Sequence, residues 1–250
     1  MIKQPSLLDL LKSGVHFGHQ TSKRHPKMTP FIFGVKSGVN VINLEQTQEK
    51  LKAALQFVAD TVANGGNILF VGSKRQALPI VEKHAKECGM PYVRERWLGG
   101  TFTNFSELSK VIKKYNRLRK DKASGELEKY TKKEQLNLER EIQRLNRFVG
   151  GMSELDSLPQ AVFIVDLRKE KTAFRESVRK GVPVVAICDT NINPTGVNYC
   201  IPGNDDAVKS IELFTSLIAA AVNEGKALAE KKKDQVPVKD KVAVKAPQKN

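Results

Sequence analysis

The chain lacks the features of a disulfide-bonded, zinc-stabilised or membrane-inserted protein. Its three cysteines, Cys88, Cys188 and Cys200, form no C-x-x-C pair, which argues against a disulfide or structural zinc framework. Apolar runs such as 68–71 and 182–188 are far shorter than the roughly 20 residues of a membrane span. The first residues show no basic segment followed by a long apolar stretch, so no secretory signal is expected. These absences predict a cytoplasmic protein with no membrane partner.

Common enzyme signatures are also missing. No two of the 17 glycines have the G-x-G spacing of a dinucleotide-binding turn, and there is no phosphate-binding loop, nucleophile elbow or H-E-x-x-H motif. We therefore expect no catalytic residue and no cofactor. Asp166 and Asp189 follow predicted strands, where α/β enzymes place catalytic groups, but an aspartate there more often caps a turn. An enzyme acting on a nucleotide or sugar phosphate is the alternative hypothesis.

A metal site is not expected either. His16 and His19 have a spacing that suits two metal ligands, yet no later cysteine or histidine pair completes the four ligands of structural zinc. Packing or hydrogen bonding to the backbone is the favoured role for both histidines. Cys188 lies within an apolar run and is interpreted as a small core residue.

What the chain has is an excess of positive charge in three separate segments. Lys and Arg number 42 against 27 Asp and Glu, which gives a formal net charge of +15. Segments 1–40, 104–149 and 226–250 carry +5, +6 and +5, whereas 41–103 carries +2 and 150–225 carries −3. A near-neutral body with three basic segments indicates a polyanionic partner. Nucleic acid is favoured over an acidic membrane, because no basic amphipathic segment has a strong aromatic face.

The near-neutral segments alternate between short apolar runs and helix-like stretches. Strands are predicted at 67–72, 91–97, 161–166, 183–189 and 197–201, with a helix capped by Asn43, a second from Ser73 to near Gly89 and a closing helix at 205–225. The alternation predicts an α/β fold, a five-stranded parallel sheet with helices on both faces, formed by 41–103 and 150–225. Residues 1–40 are interpreted as a basic N-terminal extension and 226–250 as a disordered lysine-rich tail.

Residues 104–149 interrupt this rhythm. Apolar side chains at 105, 108, 112 and 115, and again at 138, 142, 145 and 149, recur at helical spacing. Thr131 and Glu134 form a capping-box pattern before the second set. We predict an inserted antiparallel helical hairpin with one narrow apolar seam.

Polar and basic residues in several of these segments are candidate phosphate contacts. They lie in a basic loop, at the predicted start of a helix, on one face of the predicted strand 91–97 and just after it, and along the first hairpin arm. The candidates are Lys23, Arg24, Lys27, Lys74, Arg75, Arg94, Arg96, Asn104, Lys110, Lys113, Lys114 and Arg117. Trp97 is expected to be packed rather than stacked on a base. No RNA-binding aromatic motif or zinc finger indicates sequence-specific base recognition.

Several stretches together resemble the bacterial-type small ribosomal subunit protein 2 family. They are GVHFGHQ at 14–20, PKM at 26–28, PFIFG at 30–34, VINL at 41–44, ILFVG at 68–72 with KR at 74–75, RWLGG at 96–100 with TN at 103–104, LP at 158–159, DTN at 189–191 and IPGNDDA at 201–207. The resemblance covers about residues 6–225 in order.

The resemblance implies a flavodoxin-like sheet with a coiled-coil hairpin inserted in it, and a place in the small ribosomal subunit. It implies contact with 16S ribosomal RNA and docking of neighbouring ribosomal proteins, including the large protein built of repeated OB modules. DNA is not an expected partner. A scaffold that binds only proteins, with the hairpin receiving a partner helix, is a third hypothesis.

Overall fold

The computed structural model describes residues 4–234. In chain order its helices and strands are α1 (Leu7–Lys12), β1 (Phe17–Gln20), β2 (Ile32–Lys36), β3 (Val39–Ile42), α2 (Leu44–Ala63), β4 (Ile68–Val71), α3 (Leu78–Glu87), β5 (Tyr92–Val93), α4 (Phe105–Ala123), α5 (Lys132–Val149), β6 (Ala161–Ile164), α6 (Lys171–Lys180), β7 (Val184–Cys188), β8 (Tyr199–Pro202) and α7 (Val208–Asp234). Within these residues no helix combines the length and apolarity needed to cross a bilayer.

The predicted five-stranded parallel sheet is confirmed. Its strand order is β5-β4-β6-β7-β8, and every neighbouring pair is parallel. Counted from the first strand of the sheet this is the order 2-1-3-4-5, which is the flavodoxin-like order. Strand β5 ends at Val93, so the prediction of a strand through Trp97 was wrong. Arg94 leaves the sheet and forms an ion pair with Glu82 of α3.

Both faces of the sheet are covered by helices. One core cluster joins α2, α3 and α7 to strand residues such as Phe70 and Phe163. The other cluster joins α4 and α6 to the alternate strand residues, such as Leu69 and Val162. The residues of β4, β6 and β7 are buried on both faces, as expected where crossover helices cover a parallel sheet.

The N-terminal segment builds a second, smaller sheet. Strands β1, β3 and β2 lie in that order and pair antiparallel. The tight turn between β2 and β3 places Ser37 and Gly38 at φ of 51° and 76°, and such left-handed turns match the twist of a hairpin. Residues 1–40, interpreted from sequence as an extension, contribute the fully buried Leu10, Val15 and Met28 to the two cores.

Two helix boundaries differ from the prediction. Helix α3 begins at Leu78 with no side-chain cap. The Ser73 backbone N–H, which a capping box would pair with the Gln76 side chain, donates to the Glu170 carboxylate at 2.9 Å. Helix α7 continues through Asp234, nine residues beyond the predicted end at Gly225. An added Cβ at Gly225 would lie 2.6 Å from the carbonyl oxygen of Ala59, so this glycine permits close approach to α2 and does not end the helix.

The predicted tail of 226–250 is therefore helical as far as residue 234, where Ala, Glu and Lys favour helix. Its remaining residues, 235–250, lie outside the described part of the chain.

Helices α4 and α5 lie between β5 and β6 in the chain and pack against each other. The Tyr115 hydroxyl donates to Asn146 Oδ1 at 2.6 Å, and Lys122 Nζ lies 2.6 Å from Glu139 Oε1. Because partners on α5 move toward its start as partners on α4 move toward its end, the two helices are antiparallel. The capping box of Thr131 and Glu134 is confirmed. The coiled-coil character and the domain limits stay predictions.

Candidate nucleic-acid interface

Five of the twelve candidate phosphate contacts follow the carboxyl ends of the parallel strands. Lys74 and Arg75 lie in the loop after β4, and Arg94, Arg96 and Asn104 lie in the segment after β5. Because the strands are parallel, these segments emerge at one edge of the sheet. The structure thus places at that edge residues that are far apart in the sequence.

The basic loop 21–27 is attached to the same edge. The backbone N–H of His25 donates to the carbonyl of Thr190 at 2.8 Å, just beyond β7. Lys27 Nζ donates to Thr195 Oγ1 at 2.7 Å. Lys23, Arg24 and Lys27 form no ion pair with any carboxylate of residues 4–234. Their charges are therefore available to an anionic partner.

Lys74 differs from these cations because it is enclosed by carboxylates. Its Nζ lies 3.3 Å from Asp166, 2.9 Å from Asp205 and 2.6 Å from Asp206, and its side chain is only 15% exposed. Arg75 beside it is exposed and forms no ion pair within the described chain. Adjacent residues that the sequence grouped together thus have different surroundings.

The carboxylate cluster changes the proton affinity of its members. Although burial opposes the charged form of Lys74, hydrogen bonds with Asp206 and Asp205 raise the pKa of Lys74 well above its ordinary value. Burial, with the negative charges of Asp166 and Asp189, raises the pKa of Asp205 to about 7. Protonation of Asp205 removes one negative charge from the cluster and so reduces the repulsion among its aspartates.

His19 joins the cluster from the N-terminal sheet. Its Nδ1 lies 3.1 Å from Asp189 Oδ2 and its Nε2 lies 3.4 Å from Asp206 Oδ2. The hydrogen bond with Asp189 raises the pKa of His19. The ligating atoms of these three residues lie within 4.8 Å of one another, so they could hold a divalent cation, which accepts imidazole and carboxylate ligands.

His16 does not converge on this group. Its ring packs on that of Phe17 at 4.0 Å, and burial lowers its pKa. The two histidines of the motif therefore have separate surroundings, and packing is the role of His16.

The interpretation of Asp166 and Asp189 as turn residues is confirmed. Asp166 Oδ1 accepts hydrogen bonds from the backbone N–H groups of Arg168 and Lys169, both at 2.9 Å. Asp189 Oδ1 accepts from the backbone N–H and the hydroxyl of Thr190. Both carboxylates thus fix the loop that follows their strand.

The segment after β5 is shaped by a carboxylate that sequence analysis missed. Glu176 of α6 is 8% exposed. It accepts hydrogen bonds from the backbone N–H groups of Gly100 at 2.8 Å, Phe102 at 2.9 Å and Thr103 at 3.2 Å, from the Thr103 hydroxyl and from Trp97 Nε1.

Burial opposes ionisation of Glu176, but the hydrogen bonds from the three backbone N–H groups lower its pKa. The sequence offers no local signal for this contact, because Glu176 lies 76 residues from Gly100. Trp97 is buried and packs edge-on against Phe102, which agrees with the expectation that it does not stack on a base. Arg96 and Asn104 remain exposed at the two ends of the segment.

Three of the four candidate cations of the hairpin are already paired on the surface. Lys110 lies 2.7 Å from Glu107, Lys114 2.7 Å from Glu141, and Arg117 3.7 Å from Asp121. Lys113 has no such partner in residues 4–234. Exposed pairs of this kind contribute only about 0–1 kcal/mol, so a phosphate could replace the carboxylate at little cost.

Known proteins match the chain over most of its length. The family model described as Ribosomal protein S2 matches residues 10–225. A protein of Francisella tularensis subsp. novicida named small ribosomal subunit protein uS2 is 49% identical over 220 residues, covering 88% of this chain and 92% of its own. A protein of the same name from Nitratidesulfovibrio vulgaris is 45% identical over 230 residues, covering 92% and 91%.

Proposed function

The chain belongs to the ribosomal protein S2 family, and from that premise we propose that it is a structural constituent of the small ribosomal subunit, in the cytoplasm. In this role it binds 16S ribosomal RNA through backbone phosphates and docks neighbouring ribosomal proteins during translation. The observation that carries the proposal is the similarity of nearly the whole chain to proteins named as small-subunit components. No catalytic step and no cofactor are part of it.

The RNA contacts are proposed at the candidate residues, with unequal weights. Loop 21–27, Arg75, Arg96 and Lys113 present cations that form no ion pair within the described chain. Lys110, Lys114 and Arg117 can exchange weak surface pairs for phosphate. Lys74 and Arg94 contribute mainly to the electrostatic potential of the surface, because they already form ion pairs with carboxylates. Asn104 is a polar contact at the start of α4.

Salt dependence tests the phosphate mechanism. If about eight phosphates are engaged, the logarithm of the affinity for 16S RNA should fall with the logarithm of salt concentration at a slope of about −6 to −7. Binding measured from 50 to 300 mM KCl would give that slope directly. An affinity that does not change with salt would remove the mechanism, and absence of the chain from small-subunit fractions of a sucrose gradient would remove the ribosomal role.

An apolar surface on the N-terminal segment supports the docking of a neighbouring protein. Leu7, Leu8 and Leu11 of α1 are 40%, 65% and 48% exposed, and Phe33 of β2 is 80% exposed. Together with Val41 and Leu44 they line an open groove of about 380 Å³. Contiguous exposed apolar surface of this kind marks interaction sites. We assign the groove to a neighbouring ribosomal protein, with the large OB-repeat protein as the expected partner.

Substitution of Leu8 and Phe33 by Ser tests the assignment. The double variant should still sediment with the small subunit but should no longer retain the OB-repeat protein. Serine at Leu228, an exposed apolar residue near the end of α7, provides the matched control. Retention of the partner by the double variant would contradict the assignment.

A further inference from the structure

A second basic surface lies beside loop 21–27 and includes residues outside the candidate set. It is an open cleft of about 500 Å³ between the start of α6 and the loop that follows β7. Four cationic side chains line the cleft, namely Lys23, Arg168, Lys171 and Arg175, and no carboxylate lines it. The volume falls within the range of about 300–1,000 Å³ that is usual for small-molecule and cofactor sites.

The acidic residues of this region point away from the cleft, which leaves the cations without partners. Glu170 and Glu176 are buried, 3% and 8% exposed. Glu170 accepts from the backbone N–H of Ser73, and Glu176 holds the segment after β5. Arg168, Lys171 and Arg175 form no ion pair within residues 4–234. In contrast to Lys110 and Lys114, they have no carboxylate partner in the described chain to exchange for a phosphate.

The floor of the cleft has the chemistry of a base-binding surface. Phe174 is half-buried and lines it with Ile192. Asn191 also lines it, and its buried side-chain oxygen has no hydrogen-bond partner in the described chain. A flat aromatic ring offers stacking to any base, and an amide can hydrogen-bond to a base edge.

Continuity with loop 21–27 indicates a polymer as the occupant. Lys23 belongs to both surfaces, and Thr195 at the rim of the cleft accepts the hydrogen bond from Lys27. A nucleotide in the cleft would thus continue along the loop where the next phosphates are expected.

We propose that this cleft binds an unpaired nucleotide of RNA, with its phosphates on Arg168, Lys171 and Arg175 and its base against Phe174. The inference rests on the proposed RNA-binding function and adds a specific pocket to it. Lys171 and Arg175 are four residues apart on α6 and therefore share one face of the helix, with Arg168 preceding them. Single-stranded loops and bulges supply such nucleotides in folded RNA.

Filter binding of the full chain to 16S RNA at several salt concentrations tests the proposal. Substitution of both Arg168 and Arg175 by Ala should weaken binding about tenfold at 100 mM KCl and make the salt slope shallower by about 1.5–2, because two phosphate contacts are lost. The matched control, Lys50→Ala with Lys52→Ala, removes the same charge from exposed positions on α2, across the sheet, and should change affinity less than twofold.

Phe174→Leu keeps the cleft apolar but removes the ring. It should weaken binding about fivefold or more and leave the salt slope unchanged, since stacking releases no counterions. Ultraviolet crosslinking of the wild-type complex, followed by mass spectrometry, should identify a nucleotide attached to the peptide that contains Phe174. Thermal melting confirms that each variant is folded.

The outcomes separate the pocket from the wider function. Equal losses in the two double variants, or an unchanged affinity in the Phe174 variant, would overturn the pocket while RNA binding by the wild type stands. Saturable binding of a free nucleoside monophosphate at submillimolar concentration would assign the cleft to a small ligand instead, and would also overturn it. A wild-type chain that binds no RNA would refute the proposed function itself.

Discussion

Replacing Glu176 with Gln should destabilise the protein strongly, although the substitution only replaces one carboxylate oxygen with an NH2 group. Five donors converge on the two carboxylate oxygens: Oε1 accepts from Trp97 and Gly100, and Oε2 accepts from Phe102 and from Thr103 twice. A glutamine that keeps its oxygen on the three-donor side turns its NH2 group toward the other two donors. Each buried donor left unpaired costs about 1–3 kcal/mol, so we expect a loss of about 2–4 kcal/mol.

Urea denaturation followed by the fluorescence of Trp97, the only tryptophan, measures this loss, with circular dichroism as a second probe. The melting temperature should fall by roughly 5–15 °C, since about 2–4 °C accompanies each kcal/mol for a chain of this size. Glu95→Gln removes an exposed carboxylate from the same segment and should change stability by less than about 0.5 kcal/mol.

The difference in stability between the wild type and the Glu176→Gln variant should depend on pH in a defined direction. Because the pKa of Glu176 is lowered by folding, its ionised form stabilises the native state above the ordinary glutamate pKa, and this contribution disappears as pH falls through the lowered value. The advantage of the wild type over the Gln variant should be constant from pH 6 to 8 and shrink below about pH 4. A difference below 0.5 kcal/mol at pH 7, or one that grows on acidification, would refute the role assigned to Glu176.

Two further predictions concern the carboxylate cluster. Lys74→Ala should lower the free energy of unfolding by about 3 kcal/mol, because it leaves buried charge unpaired. Arg75→Ala should change the free energy of unfolding by less than about 0.5 kcal/mol. Equal effects of the two substitutions in chemical denaturation would contradict the distinction between these residues. Asp205 should titrate near pH 7 in carboxyl-detected NMR, and a midpoint below 5 would contradict the effect assigned to its burial and to the charges of Asp166 and Asp189. Since folding raises the pKa of Asp205, the native state binds one more proton than the unfolded state between about pH 4 and 7. The wild type therefore loses stability as pH rises through that window, whereas the Asp205→Asn variant does not, so the difference in stability should shift in favour of the variant.

The sheet could be predicted because its signals are local. The apolar runs that become β4, β6 and β7 are bounded by glycine, proline or aspartate and are buried on both faces, so composition alone identifies them. The small N-terminal sheet was missed, although Ser37-Gly38 between alternating apolar residues is a hairpin signal. Basic composition led to the interpretation of an extension, but fully buried residues such as Met28 belong to the core.

The site could be predicted only in outline, because its details depend on partners distant in sequence. The S-x-x-Q pattern at Ser73 satisfies a local capping rule, but the Glu170 carboxylate, 97 residues away, takes the Ser73 N–H. Lys74 and Arg75 are equivalent in a charge count, yet only Lys74 meets three aspartates from two later loops. Arg168 and Arg175 lie in a segment with net negative charge, so the sequence suggests that they are neutralised locally. They form no ion pair in the described chain because the neighbouring Glu170 and Glu176 are buried.

The attachment of β1 to the loop after β7 has a consequence for synthesis. The backbone N–H of His19 donates to Thr190 Oγ1 across 171 residues, and Gly18 lies so close to Thr190 that a Cβ would come within 2.6 Å of its methyl group. At about 5–20 residues per second, the partner of β1 is translated roughly ten to thirty seconds after β1 itself. The first strand made therefore cannot complete its final contacts until residue 190 has been translated.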